Sequence, residues 1–350
     1  DLYPGMDSPE LARDLARAAE EAVAFEKAWK GSLAEEAARG AEGRLGEAIE
    51  AFDALEDLTG RIGSYAGLLY AGDTSDPARA KLYGDVQQKL TDIGSHLLFF
   101  PLELNRIDDA VIEAALASSP ALARYRPWVV DLRMDRPYQL EDRIEQLFHE
   151  KSLTGRGAWN RLFDETMTGL RFQAGGEELS LEPTLNRLQD PDGEVRREAS
   201  QALAETLKQN LRTFTLIHNT LAKDKEISDR WRGFSDIADS RHLANRVERE
   251  VVDALADAVQ QAYPRLSHRY YAMKAKWLGM EKLNHWDRNA PLPETPQDII
   301  AWDEARDTVL SAYGDFDPRM ASIARDFFDR NWIDAPVRYG KAPGAFSHPT

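Results

Sequence analysis

The chain has 350 residues, of which 43% are hydrophobic and 30% charged, and its formal net charge is -16 with a pI near 5.0. An acidic surface repels phosphate backbones and anionic lipids, which argues against binding to nucleic acid or to a membrane surface. The absence of cysteine excludes disulfides, thiolate catalysis and Cys-based metal sites within these residues. No apolar run is long enough to span a bilayer and no signal peptide is visible, so we expect a cytoplasmic, soluble protein.

Helical patterns dominate the first part of the chain. Ser8 and Pro9 predict an N-cap followed by the first helical position. Apolar residues then recur at spacings of three and four over 11–29, which places them on one helix face. A similar pattern over 77–105 predicts a second long helix.

Three glycines, Gly60, Gly63 and Gly67, interrupt an otherwise apolar helical stretch. No strand pattern precedes them, so they do not form a nucleotide-binding fingerprint. They are expected either to allow close helix packing or to mark a break.

The sequence departs from helical periodicity at 170–181. Apolar residues alternate with polar ones on both sides of Gly175 and Gly176, a pattern that predicts a β-hairpin. Asp190–Glu194 then favours a turn before a helix, since it lacks the further oxygen ligands of a calcium loop. Further helices are predicted over 195–227, 246–263, 264–278, 295–314 with Thr295 as N-cap, and from Asp317 to about 332.

One later helix carries several aromatic and basic side chains at helical spacing: His268, Tyr270, Tyr271, Lys274 and Trp277. This spacing predicts first an aromatic stripe in the core. The second interpretation is a surface that lines a cleft.

The sequence contains no complete metal-binding motif. The segment HEKSL begins like H-E-x-x-H at His149, but Leu153 replaces the second imidazole. No two of the seven histidines lie at i, i+4 spacing on a predicted helix, and no cysteine is available. We therefore predict neither metal ligands nor catalytic residues within this chain.

Several segments, in order, resemble the oligoendopeptidase F branch of the thimet-oligopeptidase-like zinc metallopeptidases. The segments are DLYPGMDSPEL, HEKSLTGRGAWNRLFDE, the hairpin, DPDGEVRREA, DSRHLANRVEREVVDALADAV, LSHRYYAMKAKWLGMEKLNHWDRNAPLP, WDEARDTVLSAYGDFDPRMASIARDFFDRNWIDAP and RYGKAPGAFSHPT. The resemblance covers nearly the whole chain, and the order of the blocks is more specific than any single motif.

The resemblance implies a mostly α, multi-helical, two-lobed zincin-like oligopeptidase architecture around a deep channel. This architecture would contain the small β-hairpin predicted near 170–181, and the composition of GAFSHP predicts a short strand near 343–348. The expected divisions are an N-terminal helical region over 1–110, the family's N-terminal domain over 111–190, and the start of the catalytic domain over 191–350. The H-E-x-x-H helix and the third zinc ligand would follow in polypeptide beyond these residues.

The resemblance also implies a zinc metalloendopeptidase that hydrolyses short unfolded peptides with a zinc-activated water. The expected partners are peptide substrates and the missing C-terminal catalytic portion, with zinc bound in the intact enzyme and no ligands in this chain. Taken alone, this chain is expected to be inactive. Its expected substrate-binding residues, on a strand that pairs with the peptide backbone, are Gly344, Ala345, Phe346, Ser347 and His348.

The same strand could instead only pack the core. The alternative for the whole chain is a non-catalytic helical protein that binds peptides or serves as a scaffold, since a fold does not by itself confer function.

Overall fold

The computed structural model describes residues 2–294 and 299–348. The chain divides into two compact units, the first formed by the described parts of Asp1–Gly169, Leu207–Ala262 and Gly344–Thr350. The second is formed by the described parts of Leu170–Thr206 and Tyr263–Pro343. The prediction of a mostly helical protein is confirmed, and the described residues contain one sheet of two strands. The three-part division at 110 and 190 stays a prediction.

The regular elements, in chain order, are α1 (Pro9–Trp29), α2 (Leu33–Ala38), α3 (Leu45–Gly72), α4 (Pro77–Leu97), α5 (Phe99–Arg106), α6 (Asp109–Ser118), α7 (Pro120–Ala123), α8 (Arg126–Arg133), α9 (Asp142–Lys151), α10 (Arg156–Gly169), β1 (Phe172–Ala174), β2 (Glu177–Leu179), α11 (Leu181–Asn186), α12 (Gly193–Gln209), α13 (Leu211–Arg232), α14 (Asp239–Ala244), α15 (Arg249–Ala262), α16 (Ser267–Trp277), α17 (Trp302–Phe316) and α18 (Pro318–Asp329). Short 3₁₀ turns lie at Gly40–Glu42, Arg136–Tyr138, Arg187–Gln189 and His285–Asp287.

Helices α1, α3 and α4 build the main core of the first unit, and α1 begins as its sequence predicts. The Ser8 hydroxyl accepts a hydrogen bond from the Leu11 amide at 3.2 Å, which satisfies one of the free donors at the helix start. The apolar face of α1 is buried against an aromatic cluster, in which Phe52 and Phe100 stack with ring centroids 4.6 Å apart.

Two of the predicted long helices are each divided in two. The pattern over 77–105 forms α4 and α5, which meet at Leu98, and the pattern over 195–227 forms α12 and α13, which meet at Asn210. Periodicity is preserved across each junction, so the pattern predicts helix on both sides but does not reveal where one helix ends and the next begins.

The three glycines of α3 do not break it, because the helix is continuous from Leu45 to Gly72. A Cβ atom at Gly63 would lie 3.2 Å from Leu90 Cδ1 on α4, so this glycine permits close helix packing as predicted. At Gly60 and Gly67 a Cβ atom would meet open space. Close packing therefore explains only one of the three.

The predicted hairpin is confirmed in the second unit. β1 and β2 are antiparallel, with Phe172 opposite Leu179 and Ala174 opposite Glu177. Gly175 and Gly176 have φ values of 60° and 78°, a left-handed backbone that suits a tight hairpin turn and favours glycine. The inner face of β1 packs with Ala202 of α12 in a small core.

Two local predictions near the end of the chain have different outcomes. The short strand near 343–348 does not form: within the described residues this segment has no strand partner, and Gly344 has a φ of 86°, which interrupts an extended run. The predicted start of a helix at Thr295 lies outside the described residues, and α17 begins at Trp302.

The prediction of an aromatic core stripe on α16 is wrong. Tyr270, Tyr271 and Trp277 are exposed, whereas Lys274 is 3% exposed. Helical spacing shows that side chains share a face, but not which face the neighbouring elements cover.

Candidate functional site

The second unit contains a buried ionic cluster. Arg196 in the first turn of α12 donates to Asp287 through Nη2 at 2.8 Å and Nε at 3.3 Å. Its Nη1 donates to the carbonyls of Asp190 and Pro191 at 2.6 and 2.8 Å. Both charged side chains are almost fully buried, so each depends on the other for its solvation.

Asp287 closes a capping box at the short 3₁₀ turn His285–Asp287. Its Oδ2 accepts from the backbone and side-chain N–H groups of Asn284, each at 3.0 Å. Burial raises the pKa of Asp287, but the hydrogen bonds from Arg196 and Asn284 outweigh that effect and leave the pKa lowered. The carboxylate is therefore kept charged inside the unit.

Lys274 of α16 lies in the same region and donates to the Arg288 carbonyl at 2.7 Å. Burial, and then the charge of Arg196, lower its pKa, while Asp287 acts in the opposite direction. The arrangement holds one carboxylate against two cations and satisfies the surrounding backbone carbonyls. It fixes the loop after α16 onto α12, a connection that local sequence patterns do not reveal because its residues are far apart in the chain.

The second unit also contains an ordered loop after α18. The Lys341 ammonium donates to the carbonyls of Asp334 and Pro336 at 2.5 and 2.9 Å and pairs with the Asp334 carboxylate at 3.2 Å. Tyr339 contacts the Arg171 guanidinium in a cation–π arrangement at 3.9 Å. The contacts of Lys341 and Tyr339 thus hold this loop in place.

The five predicted substrate-binding residues follow that loop and belong to the first unit. Gly344, Ala345, Phe346, Ser347 and His348 are all exposed, and Phe346 is 62% exposed. Neither strand of the hairpin includes them. Their role in peptide binding stays a prediction.

Three of the seven histidines make separate local contacts. His96 pairs with Glu26 at 2.6 Å, His149 lies 2.9 Å from the Thr91 carbonyl, and His285 lies 3.0 Å from the Ser200 hydroxyl. Over residues 2–294 and 299–348, His, Asp and Glu side chains nowhere form a group of three that could hold a metal ion. The described residues therefore do not fit a zinc centre, which requires at least three protein ligands.

Helices α17 and α18 form a hairpin in the second unit that leaves large apolar side chains exposed. The pair packs closely at Gly314, where a Cβ atom would lie 3.7 Å from Ala321 Cβ. Phe316 is 82% exposed, and Trp302 and Ile323 are each about half exposed. Exposed apolar surface of this extent is typical of a contact surface for another polypeptide.

No helix in the described part of the chain combines the length and apolar character that a membrane span requires.

Two family models match consecutive parts of the chain. The model described as Oligopeptidase F matches residues 103–172, and the model described as Peptidase family M3 matches residues 187–298. The first match covers α6 to α10 and ends in β1, and the second includes Arg196, Lys274 and Asp287.

Curated relatives extend the similarity to nearly the whole chain. Oligopeptidase PepF of Bacillus subtilis is 24% identical over 99% of this chain and 51% of its own length. Group B oligopeptidase PepB of Streptococcus agalactiae is 25% identical over 93% of this chain and 57% of its own length. The chain therefore spans little more than half the length of these relatives.

Solved structures share the fold. Oligoendopeptidase-F from Enterococcus faecium superimposes with a TM-score of 0.73 at 21% identity, over 94% of this chain and 68% of its own. An oligoendopeptidase F from Bacillus anthracis gives a TM-score of 0.70 at 16% identity, over 96% of this chain and 57% of its own. The ordered matches of both family models, the relatives and the shared fold together place this chain in the oligoendopeptidase F family of the M3 peptidases.

Proposed function

We propose that this chain is part of a zinc metallopeptidase that hydrolyses short peptides, and that it supplies substrate-cleft surface while the catalytic metal is held by other polypeptide. The observation that carries the proposal is the pair of family matches in one continuous order, over 103–172 and 187–298. The names of the relatives, which are oligopeptidases and oligoendopeptidases, support peptides as substrates.

The proposal assigns no zinc ligand to this chain. A catalytic zinc site needs at least three protein ligands, and the described residues offer no suitable group. The sequence supports the same assignment, because its one H-E pair continues as K-S-L rather than to a second histidine. Zinc, when bound in such an enzyme, activates water for attack on the peptide carbonyl.

The proposal gives Gly344–His348 the role of a peptide-binding segment. Its exposed position supports contact between this segment and a peptide substrate. The Phe346 side chain would then cover apolar residues of the substrate.

The exposed face of α17 and α18 supports a second part of the proposal, that further polypeptide of the intact protein packs there. Burial of side chains such as Phe316 and Trp302 would stabilise the association by the hydrophobic effect. The absence of cysteine and the acidic composition are consistent with the proposed cytoplasmic location.

The test compares this chain with a longer product of the same gene. The 350-residue chain, confirmed by mass and supplied with zinc, should hold much less than one tightly bound zinc and should not cleave a quenched fluorescent peptide. A longer product that includes an H-E-x-x-H segment should bind one zinc and cleave the peptide. Tight zinc binding or cleavage by the short chain would overturn the assignment of the metal to other polypeptide.

A non-catalytic scaffold remains the competing function. It is favoured by the same lack of metal donors, and it predicts that a longer product contains no paired histidines and cleaves nothing. The gene sequence and the cleavage assay thus separate the two functions.

A further inference from the structure

Helix α16 of the second unit lies in a stretch of the chain that contains basic but no acidic residues. The whole chain has 60 acidic and 44 basic residues, yet no Asp or Glu occurs from Ala258 to Met280. The same stretch contains four basic residues, Arg265, Arg269, Lys274 and Lys276. In a protein with a net charge of -16, this segment is therefore a local region of positive charge.

The inner face of α16 is fixed within the second unit. Lys274 and Ala275 are buried, and the Lys274 ammonium donates to the Arg288 carbonyl at 2.7 Å. Successive side chains of a helix lie about 100° apart around its axis, so Arg269 and Lys276 lie within about 20° of each other. Both lie more than about 130° around the axis from Lys274, and both are exposed. The buried side of the helix therefore sets the direction of these two cations.

Large apolar side chains form a second row beside the two cations. Tyr270, Met273 and Trp277 are between 38% and 46% exposed. Met273 and Trp277 lie about 40° and 80° around the helix axis from Arg269. The Tyr270 and Trp277 rings meet edge to face, with centroids 6.4 Å apart. These five residues, Arg269, Tyr270, Met273, Lys276 and Trp277, form what we call the α16 face.

The cations of the α16 face have no partner among the described residues. Neither Arg269 nor Lys276 takes part in an ion pair or a side-chain hydrogen bond there. Other exposed arginines do pair, for example Arg197 with Glu194 at 2.7 Å. The α16 face therefore presents two neighbouring positive charges that the described part of the chain does not neutralise, next to exposed apolar side chains.

From this arrangement we propose that the α16 face is a docking surface for an acidic amphipathic helix of a separate polypeptide. The apolar side chains of the partner pack on Tyr270, Met273 and Trp277, and its carboxylates pair with Arg269 and Lys276. Because those two cations are two helical turns apart, about 10 Å along the axis, the matching carboxylates lie about two turns apart on the partner. The proposal goes beyond the proposed peptidase function and does not require that the partner be cleaved.

Charge complementarity favours this partner over two others. A second copy of the chain presents the same cations, so a symmetric contact through the α16 face brings like charges together. A nucleic acid is a polyanion, and the parts of it that extend beyond the face meet a chain with a net charge of -16. A short helix with a few carboxylates covers the α16 face without extending over the acidic surface.

The test uses a fluorophore-labelled peptide of roughly 14 residues, about four helical turns, with leucine on one face and glutamate beside it. Its binding to the 350-residue chain is followed by fluorescence anisotropy, and we expect a Kd on the order of 100 μM or lower. The comparison probes are a peptide with lysine at every glutamate position and a single-stranded oligo-dT. Each should bind at least about tenfold more weakly. The affinity for the acidic peptide should also fall from about 0.1 to 1 M NaCl, because the Debye length shrinks from about 10 to about 3 Å.

Charge reversal locates the site. Arg269→Glu/Lys276→Glu should weaken binding of the acidic peptide at least about tenfold and strengthen binding of the lysine peptide, a result that a loss of folding could not produce. Trp277→Ala should weaken binding of the acidic peptide about fivefold, because apolar contact is lost. Arg212→Glu reverses another exposed and unpaired cation, at the start of α13 in the first unit, and is the matched control that should leave binding unchanged.

The proposal is overturned if the acidic peptide does not bind, or if Arg269→Glu/Lys276→Glu and Arg212→Glu bind it equally well. Tighter binding of oligo-dT also overturns it, as do dimers in analytical ultracentrifugation that Trp277→Ala abolishes. Binding by the 350-residue chain but not by a longer product of the same gene would show that the protein's own polypeptide covers the face, which contradicts a separate partner. These results leave the proposed peptidase function untouched, because that function is tested by zinc binding and cleavage.

Discussion

Arg196 and Asp287 lie 91 residues apart in the chain, yet their side chains form an ion pair at 2.8 Å inside the second unit. Two backbone carbonyls and the Asn284 amide groups complete the hydrogen bonding around them. The pair connects the start of α12 to the loop after α16, and Lys274 adds a second buried cation beside it.

Removing the charge of either Arg196 or Asp287 should destabilise the protein. Asp287→Ala leaves the Arg196 guanidinium buried without a counter-charge, and we expect the free energy of unfolding to fall by about 3–5 kcal/mol. Urea denaturation followed by tryptophan fluorescence measures this change. Asp303→Ala, which removes an exposed carboxylate from a surface pair with Arg306, is the matched control and should have little effect.

The effects of substituting Arg196 and Asp287 on the free energy of unfolding should not be additive. In Arg196→Met/Asp287→Ala neither charge of the pair remains, so the double variant should be destabilised by less than the sum of the single changes. Additive losses would show that the two charges act independently and would contradict the structure of the cluster.

Stability should depend on pH through Asp287. Its pKa in the folded state is lowered from the ordinary 3.8, so as the pH falls the unfolded state takes up the proton before the folded state does. The contribution of Asp287 is therefore present above about pH 4 and is lost as the pH falls through the folded-state pKa.

Acid titrations of wild type and Asp287→Asn measure this contribution. Below about pH 4 the free energy of unfolding of the variant should fall less steeply, by at most about 1.4 kcal/mol per pH unit. Parallel curves for the two proteins would show that Asp287 does not titrate differently on folding.

Gly94 should not tolerate a side chain. A Cβ atom there would lie 2.9 Å from Cε1 and Nε2 of His149, whose ring is held by the Thr91 carbonyl. Gly94→Ala should lower the free energy of unfolding by about 1–3 kcal/mol through overpacking between α4 and α9, as measured by urea denaturation.

Gly60→Ala is the matched control, since Gly60 also lies inside a helix but faces open space. This change should raise the free energy of unfolding by about 0.5–1 kcal/mol, because alanine is the better helix former. In a His149→Ala background the Gly94→Ala change should lower the free energy of unfolding by less than it does in the wild type. An equal cost in both backgrounds would exclude the clash with His149 as its cause.

Phe346 should affect peptide turnover in a longer, active product of the gene. Phe346→Ala removes an exposed apolar side chain that we expect to cover the substrate, and kcat/KM should fall roughly tenfold. Gly344→Pro should act in the same direction, because proline cannot adopt the left-handed φ of 86° found there. Val23→Ala on α1, which removes a side chain of similar exposure, is the control.

Unchanged kinetics for both Phe346→Ala and Gly344→Pro would favour the interpretation in which the segment has no contact with the peptide. A loss of stability without a change in KM or kcat would lead to the same conclusion. Thermal denaturation of the same preparations separates the two effects.

Local sequence signals determined the helical character of the chain, the Ser8 cap and the Gly175-Gly176 hairpin, because each depends on residues within a few positions of one another. The same signals were misleading where burial or strand pairing depends on which other elements pack against the segment. They predicted a buried aromatic stripe on α16, where the buried residue is Lys274, and a strand near 343–348, where no partner strand is present in the described residues.

Only the tertiary structure brought Arg196 to Asp287, and only it buried Lys274 while leaving Arg269 and Lys276 exposed on the same helix. Ion pairs and packed faces form between side chains that are tens of residues apart, and periodicity carries no information about which of these will meet. The amino-acid sequence alone, by contrast, was sufficient to show that these 350 residues contain no cysteine and no H-E-x-x-H pair, since ligand chemistry depends on which residue types are present.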